Sequence, residues 1–113
     1  MAIARVERQH RLIEHLRVRA PRYVSGEQLG IDLGVSVRTI ERDMGELLDA
    51  GIPIDVRRGP GGGYSIDARS KLPPVALSPG EAAAIIAALV AVGPYTSAVA
   101  RSALMKLIDS LAG

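Results

Sequence analysis

Four side chains of one short stretch, GVSVRTIERDMGELL (Gly34–Leu48), could do chemistry together: Ser36, Arg38, Thr39 and Arg42. Arg38 and Arg42 stand four residues apart, so a helix puts them on one face, with Thr39 beside them. An arginine fork can bond a guanine edge through two hydrogen bonds. A threonine can meet a base or a thymine methyl, and a serine can bond a phosphate. A helix N-terminus adds potential that favours phosphate. These are groups suited to a groove of double-stranded DNA. Val37, Ile40, Met44, Leu47 and Leu48 recur at helical spacing and assign the other face to a core.

A second group follows at Arg57-Arg58-Gly59-Pro60-Gly61-Gly62-Gly63-Tyr64. Arg57 and Arg58 bring charge, and Gly61 with its neighbours lets a chain turn sharply and approach a DNA backbone or minor groove. No Gly-Lys-Ser/Thr follows, so the run is not a nucleotide-binding P-loop. Tyr64 reads as a packing residue. Ser25, placed to cap a helix, is a further candidate for a phosphate contact. Asp43 would repel phosphate if it faced DNA. It is expected to turn aside and pair with an arginine of the first helix.

The elements that must hold these groups can be read from caps and periodicity. Residues 3–19 carry Ile3, Val6, Leu12, Ile13, Leu16 and Val18 as a helical stripe, with Arg5, Arg8, Arg11 and Arg19 mostly off it. Pro21 ends that helix. Ser25 with Gln28 matches a capping box for a second helix, which Gly34 closes. Ser36 caps the third, and Gly51 follows it. IPIDVRR then alternates, with Ile52, Ile54 and Val56 on one side, and YSID alternates again across the glycine-rich tip: a β-hairpin. The expected fold is mainly α with a small β-hairpin, a winged helix-turn-helix over residues 1–70. Residues 71–78, with Lys71-Leu72-Pro73-Pro74, form a stiff linker. Ser78, Pro79 and Glu81 start a helix to about residue 92. Gly93-Pro94 stops it, and a last helix over about 97–111 carries Ala100, Leu104, Leu107, Ile108 and Leu111, completing a C-terminal helical hairpin.

Composition narrows the function. The chain has 113 residues, 48% hydrophobic, without Phe, Trp or Cys. Disulfides, thiolate metal sites and cysteine nucleophiles are excluded. His10 and His15 are five apart and do not share a face as paired ligands would, so no metal is expected. No cofactor fingerprint or catalytic constellation is present, and an enzyme is not expected. Net charge is +2, but most of the basic residues are arginines in the first 71 positions, a distribution that suits a polyanion. The N-terminus has no signal-peptide segment. The uncharged run 82–100 is broken by Gly93-Pro94, and its apolar half AAAIIAALVAV is too short to span a bilayer at ~20 residues. No membrane partner is expected. The apolar surplus of residues 79–113 points instead to a homodimer joined through these helices.

Taken whole, RLIEHLR…VSGEQLGIDLGVSVRTIERDMGELLDAGIPIDVRRGPGGGYSI resembles the N-terminal winged helix-turn-helix of bacterial WYL-domain transcriptional regulators. The pattern LGVS-RTI-RD---L--AG-PI----G-GGGY carries the likeness, which continues through KLPPVALSPGEAAAI and covers roughly residues 8–90. The resemblance implies a cytoplasmic bacterial regulator that binds double-stranded DNA. Ser36, Arg38, Thr39 and Arg42 fall on its recognition helix, and Arg57–Gly63 on its wing. Family members continue into a WYL domain implicated in sensing a ligand or nucleic acid. The likeness reaches about to where that domain would begin and does not include it, and the small-molecule effector is left unassigned. A winged-helix module for protein–protein interaction is the alternative function.

Overall fold

A computed structural model describes residues 5–67, 72–93 and 98–113. The chain divides into two compact units, Met1–Ser70 and Lys71–Gly113. The first contains α1 (Arg5–Arg19), α2 (Gly26–Leu33), α3 (Val37–Asp49), β1 (Ile54–Arg57) and β2 (Gly63–Ile66). The second contains α4 (Pro79–Val92) and α5 (Ala98–Ala112). The architecture is mainly helical with one antiparallel hairpin: a winged helix-turn-helix followed by two helices. The expected roles of Ile3, Lys71 and the turn at Pro94 fall outside the described residues.

Local chemistry sets the helix limits. The Ser25 hydroxyl accepts from the Gln28 N–H at 3.1 Å and opens α2. The expected reciprocal half of that capping box does not form, because the Gln28 amide donates instead to Asp32 at 2.8 Å. Gly34 adopts φ 71° and ends α2, while the Val35 N–H closes onto the Gly30 carbonyl at 2.9 Å. Ser36 then accepts from the Thr39 N–H at 3.1 Å and opens α3. Ser78 and Glu81 form a complete capping box on α4, with Pro79 in the first turn.

The core of the first unit gathers Leu12 and Leu16 of α1, Leu29 and Leu33 of α2, Ile40, Met44 and Leu47 of α3, Val24 and Ile54. Tyr64 and Ile66 of β2 pack against it. The hairpin pairs Ile54 with Ile66 and Val56 with Tyr64. Val24 adds a bridge to Tyr64, with both backbone bonds at 2.9 Å, and so ties the hairpin to the start of α2.

Four expectations about facing are corrected. On α1, Val6 and Val18 are exposed, whereas Arg8 is buried, because Arg8 has a buried acid to meet. On α3, Val37 is 37% exposed and Leu48 is also outside, because these residues sit at the margin of the stripe. Asp43 takes an inner position at 0% exposure. In β1, Val56 is exposed, since the hairpin extends past the core after Ile54. In the second unit α4 and α5 pack on each other. That pairing buries Ala82, Ala100 and Leu104 but leaves Ile85, Ile108 and Leu111 exposed.

Candidate nucleic-acid interface

The outward face of α3 follows from what its inward face holds. Ile40, Met44 and Leu47 anchor one side of the helix in the core. Asp43 joins them because α1 supplies its partner: Arg8 Nη2 donates to Oδ1 at 2.9 Å and Arg8 Nε donates to Oδ2. Gln9 Nε2 donates to Oδ1 at 3.3 Å and to Glu46 Oε2 at 2.7 Å. Burial alone would push the Asp43 carboxyl up. The bonds from Arg8 and Gln9 more than reverse this and hold it below the usual carboxylate range. The pairing with an arginine of the first helix is therefore as expected, but Asp43 turns inward rather than aside.

With its acids Asp43 and Glu46 engaged by α1, the helix presents Arg38 and Arg42 to solvent. Neither makes a hydrogen bond or ion pair among the described residues. Two facts fix their direction: the Ser36 cap, which sets where the helix starts, and the buried face, which sets its rotation. Ser36 is exposed. Thr39 is half-buried, and its hydroxyl lies 3.0 Å from that of Ser36, so both hydroxyls belong to the cap. Thr39 is thus displayed less fully than its sequence position suggested.

The wing is fastened from below. The Tyr23 hydroxyl donates to Asp55 on β1, and that bond pushes the Tyr23 pKa up. The Arg57 guanidinium lies over the Tyr23 ring, 4.3 Å from its centre, a cation–π arrangement. Arg57 is consequently the last residue of a strand and leans on Tyr23, whereas Arg58 is exposed at the tip with no partner among the described residues. Gly61 holds φ 74° at the tip. Gly63 is where glycine is obligatory: at φ 141°, a Cβ would fall 2.2 Å from the Val24 carbonyl oxygen. The bridge to Val24 needs that close approach.

An open cleft of 680 Å³ separates the wing from the starts of α2 and α3. Ser25, half-buried at the α2 cap, lines it together with Arg57, Arg58 and Gly61. Arg38, Thr39 and Arg42 do not line it and stand on the outer side of α3. Val37 and Glu41 border the cleft from α3 and were not singled out from the sequence. Tyr23 was missed as well. No local pattern announces a ring that supports an arginine 34 positions later in the chain.

Three helices, the third displaying Arg38 and Arg42 on its outer face, followed by a fastened two-stranded wing, define the winged helix-turn-helix class. A family model described as HTH domain, HTH_11, matches residues 8–65, from the first helix through the second strand. The chain belongs to this helix-turn-helix family, and membership supports a DNA-binding regulator. No solved structure matches the chain at a significant level. Among the described residues, no helix is long and apolar enough to cross a membrane.

Proposed function

We propose that the chain is a sequence-specific transcriptional regulator of double-stranded DNA, of the bacterial WYL-domain type. Residues 1–70 are its DNA-binding domain, 71–78 a linker and 79–113 a dimerisation segment. The recognition helix, about residues 36–50, enters the major groove, and the wing, about residues 57–64, lies on the backbone or minor groove. Arg38 and Arg42 read base edges, with Thr39 at their side. Ser25, Ser36, Arg57, Arg58 and Gly61 follow the sugar-phosphate backbone. The protein works in the cytoplasm as a homodimer, without cofactor or catalysis.

One observation carries this reading. Two of the four acids of α3 are drawn to α1: Asp43 is bonded to Arg8, and Glu46 to Gln9. Arg38 and Arg42 are exposed and make no hydrogen bond or ion pair among the described residues. The apolar side chains exposed on α4 and α5 support a second copy as the dimer partner.

Selection of bound duplexes from a random pool tests the reading. The expected product is a palindromic motif with half-sites about 10 base pairs apart, or a multiple of that spacing. Its binding should weaken steeply with salt. Enrichment of no sequence, with binding indifferent to salt, overturns the reading.

A further inference from the structure

Glu41 is the anomaly on the recognition face. Three other acids lie on α3. Asp43 is buried against Arg8, Glu46 is bonded to Gln9, and Asp49 lies at the far end of the helix. Glu41 belongs to the first two turns, between Arg38 and Arg42, and is exposed. It makes no hydrogen bond or ion pair among the described residues, although Arg57 and Arg58 line the same cleft. Val37 and Val56 line the cleft with it, and Tyr64 there feels its charge, which adds to burial in raising the Tyr64 pKa, without a hydrogen bond between the two.

A carboxylate in that place is costly in a complex with a polyanion. It lies where phosphates approach, and binding strips its water. The cost is offset only if the DNA supplies a donor. In the major groove the donors are exocyclic amino groups, and acidic side chains accept from the N4 amino group of cytosine. Phosphates and sugars of DNA offer none. The spacing fits the task. On a helix, Glu41 is displaced from the Arg38–Arg42 line towards the wing, so it meets a base pair neighbouring those the arginines meet.

We propose that Glu41 is a specificity-determining residue that accepts a hydrogen bond from the exocyclic amino group of a cytosine in the major groove. The proposal rests on the reading of α3 as a recognition helix. It adds a role that weakens non-specific attraction while sharpening the choice of site. Val37, exposed one turn earlier on the same flank, brings an apolar surface to the neighbouring position.

Duplex selection on the full chain, carried out in parallel for wild type, Glu41→Ala and Glu41→Gln, tests this. The wild-type motif should contain one cytosine per half-site whose preference falls about tenfold or more in Glu41→Ala, while the other positions keep theirs. Glu41→Gln should move that position towards adenine, which Gln bonds through N6 and N7. Thermal unfolding of the variants should match wild type, because Glu41 is exposed. Two results overturn the proposal and leave the regulator reading standing. One is a motif unchanged in Glu41→Ala. The other is a uniform gain in affinity for all sequences, which would make Glu41 a source of repulsion only. A wild-type protein that selects no motif overturns both readings together.

Discussion

Arg8 on α1 grips Asp43 on α3 across 35 positions of sequence, with Nη2 bonded to Oδ1 at 2.9 Å and Nε to Oδ2. The pair is buried at both ends, at 8% and 0% exposure. It fixes the rotation of α3 about its own axis, since only one face can offer Asp43 to α1. The outer face, with Arg38 and Arg42, is thereby aimed outward. A buried contact on one side of the helix thus sets the orientation of the candidate interface on the other.

Removing one member of the pair should therefore destabilise the domain strongly. Asp43→Ala leaves the Arg8 charge buried and unpaired, at a cost of about 3–5 kcal/mol. Urea unfolding followed by circular dichroism measures it. The double variant Arg8→Met/Asp43→Leu should recover most of the loss, because an apolar pair of similar volume removes both desolvation penalties. A single variant costing under about 1 kcal/mol would mean that the pair is not holding the helices.

The same pair predicts an acid limit. The Asp43 carboxyl is held below its unfolded value of about 3.9. A group whose folded pKa is depressed contributes stability above the unfolded pKa and loses it as pH falls through the folded one. Urea midpoints should thus decline below about pH 4. Asp43→Asn should flatten that part of the profile, although it starts from a lower plateau. A wild-type profile that stays level in this range contradicts the assignment.

The parts of the fold visible in the sequence are those whose causes are local. Ser36, Ser78 and Gly34 act within one turn of the chain, and the structure places each as a cap where it was expected. The parts that escaped were set by residues far away in sequence. Arg8 sits off the apolar stripe of α1 and yet is buried, because Asp43 is there to receive it. Val37 sits at the margin of the α3 stripe and is exposed where it borders the open cleft beside the wing. Gln28 could have completed a capping box, but Asp32 was the better acceptor one turn on. The interface divides the same way. Arg38 and Arg42 could be placed from periodicity, whereas the support of Arg57 by Tyr23 depends on tertiary contact.

Two glycines of the wing should respond differently to the same substitution. Gly63→Ala drives a methyl to 2.2 Å from the Val24 carbonyl oxygen at φ 141°, so the Val24–Tyr64 bridge must open. The expected loss is more than the roughly 1–3 kcal/mol of a strained backbone alone. Gly61→Ala meets no atom within 4 Å and carries only the penalty of its φ of 74°, about 1–2 kcal/mol. Thermal unfolding should rank Gly63→Ala well below Gly61→Ala. Equal melting temperatures would show that the bridge contributes little.

The arginines should separate into two kinds by their effect on binding. Arg38→Ala and Arg42→Ala should leave the melting temperature near that of wild type, since both side chains are exposed. Each should relax preference at one base pair by about 1–3 kcal/mol. Arg58→Ala should instead weaken binding to all duplexes alike and lower the salt dependence by about one ion. Fluorescence anisotropy with matched and mismatched duplexes at several salt concentrations distinguishes these outcomes. Uniform losses in all three variants would mean that α3 follows phosphates and does not read bases.

The second unit should decide how many recognition helices act together. Ile85, Ile108 and Leu111 are 40%, 40% and 46% exposed, although residues of this type favour burial. A second copy would cover them through a two-fold contact, in which the same patch serves both partners. Sedimentation at tens of micromolar should show a dimer for wild type. Ile108→Glu, which places a charge in that patch, should sediment as a monomer with its helical content preserved. A monomer presents one recognition helix, so the variant should bind a single half-site as well as the full palindrome. Wild type should favour the palindrome by a margin that grows with protein concentration. A wild-type monomer at tens of micromolar would rule out dimerisation through these helices, and the symmetry expected of the operator would then have no source in the protein.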